Sequence, residues 1–147
     1  MKYAELKKKY GLPDWKWIEK HFFFKPETGV PILAQVRKRV HEKLCDISWL
    51  LEPLIGSGES YRSYIERSML TAEEKRKVFA VFKEIMSLIW ESEALNVSYD
   101  EKAYAAWLKK VKAVWDRNAG TITGLCRKLS EGWKRYTRKE TNTTYHG

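Results

Sequence analysis

Leu33, Val36, Val40, Leu44, Ile47, Leu51 and Leu54 recur every three or four residues, and no other feature constrains the fold as tightly. At the helical repeat this phase lays one apolar stripe over about six turns, so a single long helix packs along its whole length. Pro31 suits the first position of that helix, where a missing N–H costs nothing, and Gly56 ends it. No segment alternates with period two for long enough to form a strand. The fold class is therefore all-α.

The remaining punctuation is helical too. A short Lys-rich helix over Tyr3–Tyr10 stops at Gly11. Asp14 then caps a second helix running to about Phe24, and residues 25–30 make a turn. Gly56-Ser57-Gly58-Glu59-Ser60 reads as a linker, followed by a short amphipathic helix through Tyr61, Tyr64 and Ile65. Thr71-Ala72-Glu73-Glu74 is a capping box, opening a helix that closes near Asn96, and Ser98-Tyr99-Asp100-Glu101 is a second box. Tyr104, Trp107, Leu108, Val111, Val114 and Trp115 share one face of the helix that follows, which Asn118-Ala119-Gly120 is expected to end. A last helix is expected from Thr121 to Arg138, with Gly124 and Gly132 leaving room for a close neighbour. The expected organisation is an N-terminal helix-turn-helix arm with a thin core over residues 1–55. A C-terminal antiparallel four-helix-type bundle follows over 60–138, and then a tail over 139–147.

Length and composition fit one ordinary domain: 147 residues, 44% apolar and 14% aromatic. The net charge of +9 is unevenly spread: +6 over residues 1–45, −3 over 46–99 and +6 over 100–147. Such asymmetry is the footprint of contact with a polyanion, although a Lys/Glu-rich thermophile surface produces part of the same signal. The N-terminus has no apolar secretory core, and no run approaches the roughly 18 apolar residues that span a bilayer, so the expectation is a protein made in the cytoplasm, soluble there and not secreted. The two sequons, at Asn96 and Asn142, then carry no weight.

Catalytic and metal patterns are missing. Cys45 and Cys126 form no CxxC and read as small buried hydrophobes. His41-Glu42 lacks the second zincin histidine, since Cys45 stands at i+4, and no Glu-x-x-His pair suggests a di-iron site. His146 lies in the tail. There is no phosphate loop, no G-x-S-x-G and no Cys/His nucleophile pattern. Glu84, Glu91 and Glu93 form the one carboxylate set that a Mg²⁺-dependent hydrolase would use, and a solvated helix face explains them more simply. The expectation is a non-enzyme with no cofactor, no metal and no small-molecule substrate.

The basic clusters carry more. Those of the C-terminal half, including Lys75-Arg76-Lys77 and Lys109-Lys110-Val111-Lys112, ride on helices with full apolar stripes and read as solvated faces. Lys7, Lys8, Lys9, Lys16, Lys20, Lys25, Arg37, Lys38, Arg39 and Lys43 sit on the arm and are the candidates for neutralising phosphates. Beside them Trp15, Trp17, Phe22, Phe23 and Phe24 are too many aromatics for so short a helix to hide, and are expected at a subunit interface. Polar base readers at the start of a recognition helix are lacking, so binding is expected to be phosphate-directed and sequence-independent.

This layout resembles the coat proteins of filamentous and rod-shaped archaeal viruses, of the lipothrixvirus and rudivirus type. The resemblance lies in the short basic and aromatic helix, the turn Phe24-Lys25-Pro26-Glu27-Thr28, the helix start Ile32-Leu33-Ala34-Gln35-Val36, the long helix and the Trp-rich C-terminal half. It covers most of the chain as architecture and only that turn and helix start as sequence. It implies a virion protein whose N-terminal helices wrap double-stranded DNA in A-form while the bundles pack into a helical wall. It also implies pairing with itself or a related second coat protein, under a lipid envelope in lipothrixvirus-type members. The alternative is a small helical regulatory subunit whose basic arm docks on an acidic protein.

Overall fold

A computed structural model of the chain describes residues 2–56 and 60–143, with side chains as far as Tyr136. The centre of the expected linker, Ser57-Gly58-Glu59, and the end of the tail with His146 lie outside the described residues. The described chain is all-helical: α1 (Tyr3–Tyr10), α2 (Trp15–Phe22), α3 (Ile32–Ile55), α4 (Tyr61–Ser68), α5 (Ala72–Leu95) and α6 (Glu101–Thr143).

Helix α1 ends where Gly11 takes the left-handed conformation, φ 64°, and gives its N–H to the Lys7 carbonyl at 2.8 Å. The box at Thr71 forms as expected: Thr71 Oγ1 accepts from the Glu74 N–H, and Glu74 Oε1 accepts from the Thr71 N–H. At α6 the cap falls two residues later than Ser98, on Asp100, whose Oδ1 accepts from the Ala103 N–H at 3.1 Å. Asp14 stands at the α2 N-cap but turns its carboxylate to Lys7 instead.

The expected break at Asn118-Ala119-Gly120 does not occur, and α6 is one helix of 43 residues, about 64 Å long. The reason is phase. Val111, Trp115, Asn118, Ile122, Leu125 and Leu129 keep three- and four-residue spacing straight through the presumed stop. Buried Asn118 folds back to donate to the Val114 carbonyl at 3.0 Å, so it does not cap, and Gly120 keeps a negative φ.

Helices α3, α5 and α6 form an up-down-up layer around one core. Arg37 near the start of α3 meets Ser92 and Asn96 at the end of α5. Glu91–Lys110, Glu84–Arg117 and Glu74–Lys128 run antiparallel down the α5–α6 seam. The thin-cored arm over residues 1–55 is corrected by this packing, because Leu33, Val36, Val40, Leu44 and Leu51 share one buried cluster with Ile85, Leu108 and Val111. Leu6, Leu12, Ile18 and Phe22 join the same cluster. At about 1.5–3 kcal/mol per buried side chain, these four hold α1 and α2 far more firmly than the rim pair Lys9–Glu101, at about 0.2–1 kcal/mol. At the far end α4 closes the α6 overhang: Trp133 Nε1 donates to Glu66 Oε1 at 3.0 Å, and a Cβ on Gly132 would overlap the Met69 sulfur. Gly124, expected to make a similar approach, faces open space.

Candidate nucleic-acid interface

The expected site residues separate into those the fold consumes and those it leaves on the surface. Arg37 is consumed. Only 8% exposed, it donates from one terminal nitrogen to Ser92 Oγ at 2.8 Å and from the other to Asn96 Oδ1 at 3.0 Å, with its guanidinium 5.8 Å from the Tyr104 ring centre. Among the described residues its Nε has no partner and no carboxylate pairs with it, so it is a buried structural cation and not a phosphate contact. Arg39 is half-committed, its Nε donating to the Phe22 carbonyl at 2.9 Å and its head paired with Glu42. Lys7 pairs with Asp14, and Lys9 with Glu101.

Lys8, Lys16, Lys20, Lys25 and Lys38 are exposed and take part in no ion pair among the described residues. Ile18 and Phe22 fix the inner side of α2, so Lys16 and Lys20, one turn apart, stand on its outer face. Lys8 stands opposite buried Leu6 on α1. Lys25 and Lys38, with Arg39, line an open cleft of about 300 Å³ between residues 23–27 and α3, and Glu27 and Glu42 lie on its walls. Lys43, half-buried, places its ammonium 6.0 Å from the Phe23 ring centre.

Two lysines that the sequence assigns to a bundle surface join this region. Lys109 and Lys112 of α6 line a second cleft with residues 11–14 and Asp116, and Lys112 also lies 5.5 Å from the Trp17 ring centre. Only the phase of α6 and its docking on α2 bring them there; linear spacing carries no such signal. The shared electrostatics are visible in the titrating groups. Asp14 is held below the usual carboxylate range by the Lys7 hydrogen bond, with Lys112 and Lys16 adding to it. Partial burial, then Lys20, lower His21, which keeps Nδ1 free to accept from Trp115 Nε1 at 3.2 Å.

The aromatics expected at a subunit interface are mostly internal. Phe22 is fully buried with its ring 5.1 Å from Trp115. Trp15 stands edge-on between Tyr3 and Phe24, and Trp17 packs on His21 and Phe22. Trp115, from the same chain, covers Phe22 and His21. Phe23 alone points out, 74% exposed, at the left-handed residue that ends α2.

The carboxylates considered for Mg²⁺ do not converge. Glu84 and Glu91 pair across to α6, whereas Glu93 turns to α3 and meets His41 Nε2 at 3.0 Å. Among the described residues no group of three or more His, Cys, Asp or Glu is placed to hold a metal. Cys126 is exposed and Cys45 half-buried, so the expectation that both are core residues is corrected. No described helix is long and apolar enough to cross a membrane. No protein-family model, curated protein or solved structure matches this chain.

Proposed function

We propose that this chain is a structural protein that binds double-stranded DNA through its phosphates without sequence preference and assembles along it, in the manner of a helical viral coat. The observation that carries this reading is the set of lysines on the outer faces of α1 and α2. Lys8, Lys16 and Lys20, with Lys25 and Lys38 at the adjoining cleft, are exposed and have no counter-ion among the described residues. Flexible point charges on a rigid, docked helical pair suit phosphate contact, and among the described residues no array of short polar side chains stands beside them to read base edges. The A-form geometry of the bound duplex and a related second subunit follow from the resemblance in layout. Four to six phosphate contacts give a slope of log affinity against log salt of about −4 to −5. Electron microscopy of the protein mixed with linear duplex DNA, with binding measured across a salt series, tests this. Filaments and a steep slope independent of sequence support it, and no binding at low salt refutes it.

Docking on an acidic protein is the second reading. The acidic residues interleaved with the lysines, Asp14, Glu19 and Asp116, favour it, because they repel a duplex but suit a partner of mixed charge. Indifference to DNA together with capture of a folded acidic partner would select it.

A further inference from the structure

Helix α2 ends on a residue that the surrounding contacts force into the left-handed conformation. On one side Phe22 is fully buried, and on the other Phe24 sets its ring 5.4 Å from that of Trp15. The backbone between them is held as well. The Phe23 N–H donates to the Glu19 carbonyl at 3.1 Å, and Arg39 Nε donates to the Phe22 carbonyl at 2.9 Å. Phe23 therefore sits at φ 50°, the one positive φ outside glycine among the described residues. Glycine or asparagine takes that conformation readily, whereas a bulky side chain is strained in it. The ring recovers little from the core in return, because it is 74% exposed. Strained residues that their neighbours hold in place cluster at binding sites and ligand clamps.

The charges around the ring select its partner. Phe23 lines the open cleft of about 300 Å³ together with Lys25, Lys38 and Arg39, and the Lys43 ammonium stands 6.0 Å from the ring centre. Against these four cations the cleft has two carboxylates, Glu27 and Glu42, and Glu42 is already paired with Arg39. Exposed Lys20 stands one turn back on α2. A partner that fits presents a flat apolar face with negative charge on either side of it. A nucleic-acid strand does so at every nucleotide, with a phosphate before and after each base and a π-face on the base itself. We infer that Phe23 stacks on a nucleobase while Lys20, Lys25 and Lys38 hold the phosphates beside it. Resting on the nucleic-acid reading above, this contact adds to it the one attraction that salt does not screen. Both faces of every base are covered in a straight duplex, so the stacked base belongs to a single strand or to a kinked step that an apolar wedge has opened. Because every base has such a face, the contact adds affinity without sequence preference.

Iodouracil crosslinks under ultraviolet light to an aromatic ring stacked on it, and peptide mapping then identifies the residue. Placed in a single strand and at the central step of a duplex, it is expected to crosslink to Phe23, and the substrate that gives the crosslink tells a single strand from a kinked duplex. Fluorescence anisotropy across a salt series supplies the second readout. Phe23→Ala is expected to weaken binding about five- to 150-fold with the salt slope unchanged, since no cation is removed. Phe23→Trp, which keeps a stacking ring, is expected to bind at least as tightly as wild type. Phe23→Gly takes the left-handed conformation without strain, so the same loss in that variant excludes misfolding as its cause. Lys16→Ala/Lys20→Ala tests the phosphate contacts separately, through the slope. Wild-type affinity in Phe23→Ala and Phe23→Gly, or crosslinks that map only to other residues, overturns the stacking contact, while a lowered slope in the lysine variant leaves phosphate binding standing. A wild type that binds neither form of nucleic acid refutes both. Phe23 variants that lose self-association but keep their nucleic-acid affinity assign the ring to a protein contact and overturn the inference as well.

Discussion

Arg37→Ala separates structural charge from binding charge. In the fold the guanidinium makes two good hydrogen bonds, to Ser92 Oγ at 2.8 Å and Asn96 Oδ1 at 3.0 Å, and a longer one to the Ser92 carbonyl at 3.3 Å. Hydrogen bonds from a charged donor contribute about 1.5–3 kcal/mol each, so the two good ones supply about 3–6 kcal/mol. Against this stands the desolvated Nε with no partner, which costs about 1–3 kcal/mol and is relieved by the substitution. The acceptors are not stranded, because Ser92 Oγ keeps His41 Nδ1 at 3.0 Å and Asn96 is open to water. The expected net loss is about 3 kcal/mol, or roughly 6–12 °C in Tm for a chain of this size. Lys16→Ala/Lys20→Ala is the mirror experiment. On exposed positions its stability change stays within about 0.5 kcal/mol, while the magnitude of the salt slope falls by about 1.8 if both lysines meet phosphates. Chemical denaturation and fluorescence anisotropy with duplex DNA, run on both proteins, read the two effects. An Arg37→Ala protein as stable as wild type, with DNA binding weakened like the lysine variant, would refute the assignment of Arg37 to the interior.

Three further outcomes are expected. Glu74 is pulled down to about 2, first by the Lys128 hydrogen bond and then by its capping bonds to Thr71. A carboxyl lowered in the fold stabilises above its ordinary pKa, and that contribution disappears as pH falls from about 4.5 toward 2, so Glu74→Gln should flatten the acid limb of a stability–pH profile in that window. Gly132→Ala drives a methyl group into the Met69 sulfur, an overlap of about 1–3 kcal/mol that the helix gain of about 0.5–1 kcal/mol and a turn of the flexible Met69 side chain offset in part, so a loss of about 1 kcal/mol is expected, whereas Gly124→Ala, facing open space, is expected to raise stability by about 0.5–1 kcal/mol; urea midpoints decide both. Phe23 holds φ 50°, a conformation costing a bulky residue about 1–2 kcal/mol, so Phe23→Gly should be neutral or stabilising in the same assay despite the lost ring.

The stripe from Leu33 to Leu54 was legible because a strict apolar phase admits one solution, and the Thr71 box because two reciprocal hydrogen bonds need two fixed residue types. Residue type alone puts a boundary at Asn118-Ala119-Gly120, and the apolar phase overrides it. Asn and Gly are permissive at a helix end, but they do not stop a helix whose next apolar residue, Ile122, arrives in register from Trp115. The partner of α3 was out of reach for a different reason. A stripe states that a face is buried and is silent about what buries it, so a helix that packs on α5 looked like an arm waiting for another molecule.

The same limit governs charge. Lys7, Lys9, Arg37 and Arg39 carry the same weight in the sequence as Lys8, Lys16, Lys20, Lys25, Lys38 and Lys43. What divides them is acceptors brought close by the fold: Asp14, Glu101, Ser92 with Asn96, and the Phe22 carbonyl with Glu42. Three of those four sets come from a different helix or loop than the cation they hold, and Glu101 lies 92 residues from Lys9. A cation that has found such an acceptor would have to break that bond before meeting a phosphate, and Arg37 would also have to leave the core. On the proposed reading, polyanion affinity is therefore expected to track the lysines left over after the fold has satisfied its own acids and carbonyls. Of the N-terminal cations, that remainder stands on α1, α2 and the adjoining cleft, with Lys109 of α6 beside it, and there substitutions should change DNA affinity without changing stability.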